Sequence, residues 1–185
     1  MLDENTIFSR FPELRFGDVV LREIAPEDVN DFYDYITSKE VTKYLSDSEI
    51  PSSRDSARTE LMYWANLYHR RISIYWAISD VKTAKLIGTA GFNFWNKEHK
   101  RAEISYDLSA KYWSKGIMTN VVSEITKFGT EVMQVNRLQA TVVHFNHASA
   151  RVLEKCGYHK EGELENFGIL HGKSENFYMY SFTKD

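Results

Sequence analysis

The hydrophobic residues of this chain change their spacing along its length, and each spacing predicts a type of element. Between positions 72 and 78 they recur at every second residue, which is typical of a strand. Between 117 and 132 they recur every three or four residues, which is typical of a helix with one buried face. Together the two patterns predict strands over 19–24, 72–78, 86–94, 102–108, 137–143, 158–170 and 175–183, and helices that begin near Pro26, Ser52, Ile117 and Ala148.

The predicted order of elements is β-α-α-β-β-β-α-β-α-β-β, which indicates a mixed sheet with helices, in the α/β (α+β) class. With 185 residues and no linker-like stretch, we expect a single domain over 1–185. The composition is 43% hydrophobic and 26% charged, as in ordinary globular proteins.

Charge and cysteine content narrow the functional classes. A net charge of −3 argues against a general nucleic-acid binder. Cys156 is the single cysteine, so no internal disulfide is expected, and a reducing compartment such as the cytoplasm suits the chain. The acidic segment 1–5 is not expected to be a signal peptide, and no apolar run approaches the roughly 20 residues that cross a bilayer.

A glycine-containing turn at Ser114-Lys115-Gly116 joins the strand over 102–108 to the helix that begins at Ile117. The first backbone N–H groups of a helix have no partner within it, so such a turn predicts an anion site. Lys115 would add a positive charge, and Gly116 would let a ligand approach the backbone. The other interpretation is a plain helix start that contains a glycine.

The segment 146–158 forms a second candidate motif. Asn146 is a favoured helix N-cap, and Ser149 would lie in the first turn, so both residues also have an ordinary structural explanation. Arg151 and Lys155 would equally suit a solvated helix face.

Together these two segments resemble the GNAT superfamily of N-acetyltransferases. The superfamily motif Asn-x-x-Ser-x-x-Val-Leu-Glu-Lys-x-Gly-(Phe/Tyr) is matched at every named position between Asn146 and Tyr158. The stretches Leu86-Ile87-Gly88, Ala102-Glu103-Ile104-Ser105-Tyr106 and Tyr112-Trp113-x-Lys115-Gly116 resemble the RimJ/RimL-type branch, which acetylates N-terminal amines of ribosomal proteins. The general motif Gln/Arg-x-x-Gly-x-Gly/Ala is altered here, since Trp113 and Met118 hold its first and last positions.

The resemblance implies a GNAT-like fold, a cofactor site and a reaction. The fold would have a mostly antiparallel seven-stranded sheet, a splay between its fourth and fifth strands, and about four flanking helices. The co-substrate would be acetyl-CoA, with no metal. The residues implied in binding it are Ser114, Lys115, Gly116, Ile117, Met118 and Thr119 at the pyrophosphate, Asp107 and Leu108 through backbone pairing with pantetheine, Asn146 near the pantetheine or thioester, and Arg151 at a phosphate.

The implied reaction is direct attack of a neutral amine on the thioester, which needs a route for the amine proton and a donor for the thiolate. Glu103 and Glu161 are the candidate bases, each also explained as an exposed strand carboxylate. Ser149 is a candidate for binding the amine or relaying a proton. The tyrosine that serves as general acid in some GNAT enzymes would fall at Glu154. His144 and His147 lack further residues at metal-ligand spacing.

The acceptor is the most open part of the prediction. Neutralising an α-amine (pKa about 7.7–8.0) at pH 7 costs roughly 1.2 kcal/mol, against roughly 4.6 kcal/mol for lysine (pKa about 10.4). Since no strong base is evident, a protein N-terminus such as that of a ribosomal protein is favoured. A small amine (polyamine, aminoglycoside or amino acid) and a non-catalytic CoA-binding module are the alternatives. The aromatic residues of 177–182 suit either a strand buried on both faces or the contact of a homodimer.

Overall fold

The computed structural model describes residues 4–184; positions 1–3 and 185, which the predictions for 1–185 and for the segment 1–5 include, lie outside that range. The strands are β1 Leu14–Phe16, β2 Val19–Arg22, β3 Tyr75–Asp80, β4 Leu86–Asn96, β5 Arg101–Leu108, β6 Arg137–Val143, β7 His159–Leu170 and β8 Lys173–Thr183. The α-helices are α1 Glu4–Ile7, α2 Val29–Ile36, α3 Lys39–Thr42, α4 Arg54–His69, α5 Ile117–Lys127 and α6 His147–Lys155.

The strands form one sheet in the order β1-β2-β3-β4-β5-β6-β8-β7. Every neighbouring pair is antiparallel except β5 and β6, which run parallel. The prediction of a mixed, mostly antiparallel sheet is confirmed, and its seven strands become eight. The added strand is β1, whose three residues are too few to display a period of two.

The parallel pair β5 and β6 separates along its length. Pairing joins Arg101 to Arg137, Ala102 to Leu138 and Glu103 to Gln139, and extends no further in the described structure. Both strands continue, to Leu108 and Val143 respectively. The sheet therefore opens between β5 and β6, which are the fourth and fifth strands of the prediction.

The sheet is covered on both faces, so β3 carries apolar residues on each side. Trp76 and Ile78 pack with residues of α5 and α6 on one face, including Val121 and Leu153. On the other face the core partners of β3 come from α2 and α4: Tyr75 and Ala77 pack with Phe32, Ala57 and Leu61. Within residues 4–184, no helix has the length and apolar character needed to cross a bilayer.

Helix boundaries follow local capping chemistry. Ser53, rather than the predicted Ser52, caps α4 by accepting a hydrogen bond from the Ser56 N–H at 3.1 Å. The predicted helix over 117–132 is α-helical to Lys127 and then widens into a π-turn over Phe128–Val132. Both differences concern boundaries, and the elements themselves agree with the hydrophobic pattern.

Gly91 of β4 is paired with Tyr75 of the neighbouring strand β3, where the two backbones approach closely. A Cβ built there would meet the Tyr75 side chain and would lie 2.6 Å from both the Ile74 carbonyl oxygen and the Tyr75 Cα. These distances are shorter than real contacts, and two of the atoms belong to backbone that the sheet holds in place. Glycine at 91 thus permits the close approach of the two backbones.

We expect Gly91→Ala to reduce the free energy of unfolding by about 2 kcal/mol, because the added methyl group must displace paired backbone. Urea unfolding followed by circular dichroism measures this loss. Gly162→Ala is the matched control, since a Cβ on this β7 glycine meets nothing within 4 Å. Equal stability of the two variants would contradict the close approach of the two backbones at Gly91.

Candidate functional site

A cavity of about 560 Å³ occupies the opening between β5 and β6, a size typical of ligand sites. Its walls come from both separating strands, the turn before α5, the first turns of α6 and the segment between α3 and α4. The sequence-predicted residues in its lining are Glu103, Asp107, Leu108, Ser114, Gly116, Ile117, Met118, Thr119, Asn146, Ser149 and Arg151. The fold thus brings together most of the predicted site, although these residues are dispersed in the chain.

The backbone of β5 alternates between its two neighbours. The Ser109 N–H donates to the Ile87 carbonyl of β4 at 2.8 Å, so the backbone groups of Ser109 and Asp107 face β4. Those of Tyr106 and Leu108 consequently face the opening. This corrects the expectation for Asp107, whose backbone points away from the gap; Tyr106 takes its place beside Leu108.

The turn before α5 is shaped by two residues in the left-handed region, Ser114 at φ +60° and Gly116 at φ +74°. Trp113 fixes the turn to the end of β5, because its indole Nε1 donates to the Leu108 carbonyl at 2.8 Å. Gly116 caps α5, and the first N–H groups of that helix have no partner within it. They supply hydrogen-bond donors for an anion at this end of the cavity.

Contrary to the prediction, the cationic side chain of Lys115 does not point into the cavity. Lys115 is absent from the cavity lining, and its Nζ lies 5.0 Å from the centre of the Tyr112 ring. The expected charge from Lys115 is therefore directed at an aromatic face instead. Arg151 and Lys155, both on α6, do line the cavity. They give this end positive charge.

Asn146 and Ser149 occupy the start of α6. The Asn146 Oδ1 accepts a hydrogen bond from the Ser149 N–H at 3.1 Å, so Asn146 is an N-cap that also faces the cavity. The Ser149 Oγ of α6 lies 2.9 Å from the hydroxyl of Tyr106, which is on β5. Burial raises the pKa of Tyr106 above its ordinary value, so its hydroxyl stays protonated.

Three carboxyl side chains also line the cavity, those of Glu49, Glu103 and Asp107. Glu103 Oε2 accepts a hydrogen bond from Gln139 Nε2 at 2.9 Å, at the last residue pair before β5 and β6 separate. Within residues 4–184 neither Glu49 nor Glu103 forms an ion pair. The Glu49 and Glu103 carboxylates therefore favour a cationic group in the cavity.

The Asp107 carboxylate ties β5 to α2. Its Oδ1 accepts from the Tyr35 hydroxyl at 2.5 Å and from the Thr89 N–H at 3.0 Å, and its Oδ2 accepts from the Thr89 hydroxyl at 2.6 Å. Burial raises the pKa of Asp107 despite these donors. The Asp107 side chain thus connects the end of β5 to α2 and β4.

Glu60, on α4, is a residue that sequence reasoning missed. Burial, followed by repulsion from Asp107, raises the pKa of Glu60 from 4.5 to about 7. No motif marks this position, and the shift arises only because α4 folds beside Asp107. Tyr106 was also missed as a site residue, since its alternation with polar neighbours indicated a core position.

Glu161 does not belong to the cavity lining, which corrects its assignment as a candidate base. Both of its carboxylate oxygens accept hydrogen bonds from Arg137 at 2.7 Å, and the Ser181 hydroxyl donates to one of them at 2.6 Å. The Arg137 guanidinium foremost, with help from Ser181, lowers the pKa of Glu161 to about 2. A carboxylate held in this way is a poor proton acceptor.

In the part of the chain that the structure describes, no group of three or more His, Cys, Asp or Glu residues could hold a metal ion. His144 instead lies 3.7 Å from a Glu175 carboxylate oxygen, on β8.

In a comparison with known protein families, residues 18–159 match the acetyltransferase (GNAT) domain. The chain is 32% identical over 174 residues to the uncharacterized N-acetyltransferase YoaA of Bacillus subtilis, spanning 94% of this chain and 98% of that protein.

Solved structures share the fold at lower identity. The ribosomal-protein-S5-alanine acetyltransferase from Vibrio fischeri superposes with a TM-score of 0.83 at 21% identity, over 94% of this chain and 97% of that one. The microcin C7 self immunity acetyltransferase MccE was solved in complex with acetyl-CoA and AMP. It superposes with a TM-score of 0.81 at 21% identity, over 91% of this chain and 94% of that one.

The raised pKa of Glu60 makes stability depend on pH. The folded state retains this proton up to about pH 7, whereas the unfolded chain releases it near 4.5. The free energy of unfolding therefore falls as pH rises between these values. The full cost of ionising Glu60 in the folded state is reached above pH 7. Solvent screening of this half-buried group reduces the penalty to roughly 1 kcal/mol.

We expect Glu60→Gln to raise the melting temperature by about 2–4 °C at pH 8 and by much less at pH 4.5. Differential scanning calorimetry at the two pH values measures the difference. Glu98→Gln, on the exposed β4–β5 turn, is the control and should change little at either pH. An increase in melting temperature that is the same at both pH values would contradict the raised pKa of Glu60.

Proposed function

This chain belongs to the acetyltransferase (GNAT) family and is an acetyl-CoA-dependent N-acetyltransferase, and from that premise we propose that its acceptor is the α-amine at the N-terminus of a protein. A ribosomal protein is the proposed class of acceptor. The structural similarity to a ribosomal-protein-S5-alanine acetyltransferase agrees with this class, at an identity of 21%.

The observation that carries the proposal is that cationic and acidic side chains line one cavity. The unpaired N–H groups of α5 and the cations Arg151 and Lys155 suit the phosphates of acetyl-CoA. Glu49 and Glu103 suit a protonated amine that arrives from water. The reacting groups would then meet in the opening between β5 and β6.

The residues fit acetyl-CoA in detail. Gly116 leaves open space beside the turn, since a Cβ there would meet no atom within 4 Å. The backbone of Tyr106 and the Leu108 N–H face the opening without a β6 partner in the described pairing, and they would pair with the amide groups of pantetheine. When bound, acetyl-CoA supplies the thioester that the amine attacks.

The available bases favour an α-amine. Glu161 is bound to Arg137, so Glu103, which lines the cavity, is the remaining one of the two predicted bases. Glu103 is itself fixed by Gln139, and would take up the proton directly or through a water molecule. Neutralising an α-amine at pH 7 costs only about 1.2 kcal/mol, so a base of modest strength suffices.

Gly116→Val should weaken acetyl-CoA binding by about thirtyfold or more, which is roughly 2 kcal/mol. The valine side chain would enter the open space where the pyrophosphate approaches the backbone, and its backbone would resist a φ of +74°. Isothermal titration calorimetry measures the affinity directly.

Gly172→Val separates these two effects. Gly172 has almost the same φ, +73°, and equally open space, but it lies in the β7–β8 turn outside the cavity lining. This variant should bind acetyl-CoA like the wild type while carrying the same backbone strain. Equal affinities of Gly116→Val and Gly172→Val would count against the phosphate site.

An acceptor panel tests the proposed amine. A basic peptide with a free N-terminus and blocked lysines should be acetylated, with a rate that rises up to about pH 8 as its α-amine loses its proton. The same peptide with a blocked N-terminus and one free lysine should react at least tenfold more slowly. Release of CoA thiol reports turnover, and mass spectrometry locates the acetyl group.

Other results of the panel would favour the alternatives. Rapid acetylation of spermidine or a free amino acid, with no reaction at peptide N-termini, would make the enzyme a small-amine acetyltransferase. Binding of acetyl-CoA without turnover of any acceptor would favour a non-catalytic CoA-binding module.

A further inference from the structure

We propose that Tyr106 is a positioning residue for acetyl transfer: its hydroxyl orients the Ser149 hydroxyl so that the Ser149 proton points into the cavity, toward the sulfur that leaves. The inference rests on the proposed function only in that CoA must occupy the opening between β5 and β6. It does not depend on which amine is the acceptor.

The geometry places both hydroxyl groups at one point of the cavity wall. Tyr106 is on β5 and Ser149 is in the first turn of α6, and both line the cavity. The Tyr106 hydroxyl lies 2.9 Å from Ser149 Oγ and 3.3 Å from the Ser149 carbonyl oxygen. Both hydrogen-bond partners of this phenol within the described residues therefore belong to Ser149, 43 positions away in the sequence.

The 2.9 Å contact permits donation in either direction, and we take Tyr106 as the donor and Ser149 Oγ as the acceptor. Burial raises the pKa of Tyr106, so its hydroxyl keeps the proton that this direction needs. A serine oxygen that accepts from tyrosine has its own proton free for another acceptor, and the cavity is the side that remains.

The Asn146 cap holds the serine in place from the other side. Its Oδ1 accepts from the Ser149 N–H at 3.1 Å, which fixes the backbone on which the hydroxyl rotates. With the backbone held by Asn146 and the oxygen held by Tyr106, the Ser149 hydroxyl loses most of its rotational freedom before substrate arrives. Such prior orientation is what makes a donor effective as charge develops.

The chemical step is balanced without a further reactant. A bond forms between the amine nitrogen and the acetyl carbon, the bond from that carbon to sulfur breaks, and its electron pair stays on sulfur. The proton lost by the amine passes to the base and solvent and finally neutralises the thiolate. Ser149 and Tyr106 are unchanged at the end, because they donate hydrogen bonds while sulfur carries the charge.

The test measures the thiol of bound CoA rather than turnover alone. CoA labelled with ¹³C at the methylene next to sulfur is titrated by NMR on the wild-type protein and on Tyr106→Phe. An oriented donor stabilises the thiolate, so Tyr106→Phe should raise the pKa of the bound thiol by about half a unit to one unit. With any accepted amine, kcat should fall roughly tenfold while KM for acetyl-CoA changes less than threefold.

Tyr158→Phe is the matched structural control. The Tyr158 hydroxyl likewise lies 2.9 Å from a side-chain hydroxyl, that of Thr126, but Tyr158 is a buried core residue outside the cavity lining, whereas Tyr106 is partly buried. The two variants each lose one such hydrogen bond and should have similar melting temperatures. Only Tyr106→Phe should change the pKa of the bound thiol.

A Ser149→Ala background shows whether Tyr106 acts through the serine. There, Tyr106→Phe should add no further rise in the pKa of the bound thiol and no further loss of kcat. An additional effect in that background would overturn the proposal, as would an equal thiol pKa in Tyr106→Phe and Tyr158→Phe. Failure of wild-type protein to bind CoA at all would instead refute the cofactor site on which the proposed function rests.

Discussion

The functional architecture depends on the early end of pairing between β5 and β6. Three residue pairs join these parallel strands, and beyond Glu103 and Gln139 the two backbones separate while both strands continue. Backbone N–H and C=O groups inside a protein need partners, and here the sheet provides none on one side. The opening is therefore both a cavity and a set of unused hydrogen-bonding groups, which suits a ligand with amide groups of its own.

Three features of the fold maintain that opening. Trp113 binds the Leu108 carbonyl and attaches the turn before α5 to the end of β5. Asp107 attaches the same strand end to α2 through Tyr35. Glu103 and Gln139 close the opening at its base with a side-chain hydrogen bond. The Trp113 contact joins consecutive elements and the other two join elements distant in the chain, so the fold itself holds the opening in place.

Much of this arrangement could be predicted from local sequence. Periodicity identified the long elements, and the resemblance of 112–119 and 146–158 to GNAT motifs is confirmed by the family match. What could not be predicted depends on tertiary packing. The pKa of Glu60 is raised by burial and by Asp107, a neighbour that only the fold provides. Glu161 is a poor candidate base because it is bound by Arg137, a residue 24 positions earlier. Likewise the three residues of β1 are too few to reveal a period, and Tyr106 gains its partner only when α6 folds against β5.

A crystal structure of the complex would show whether acetyl-CoA occupies the opening between β5 and β6. We expect the pyrophosphate against the first N–H groups of α5 beside Gly116, the pantetheine paired with the backbone of Tyr106 and Leu108, and the thioester sulfur within hydrogen-bonding reach of Ser149. Density for acetyl-CoA elsewhere on the protein, with β5 and β6 still separated and empty between Leu108 and Val143, would contradict this binding mode.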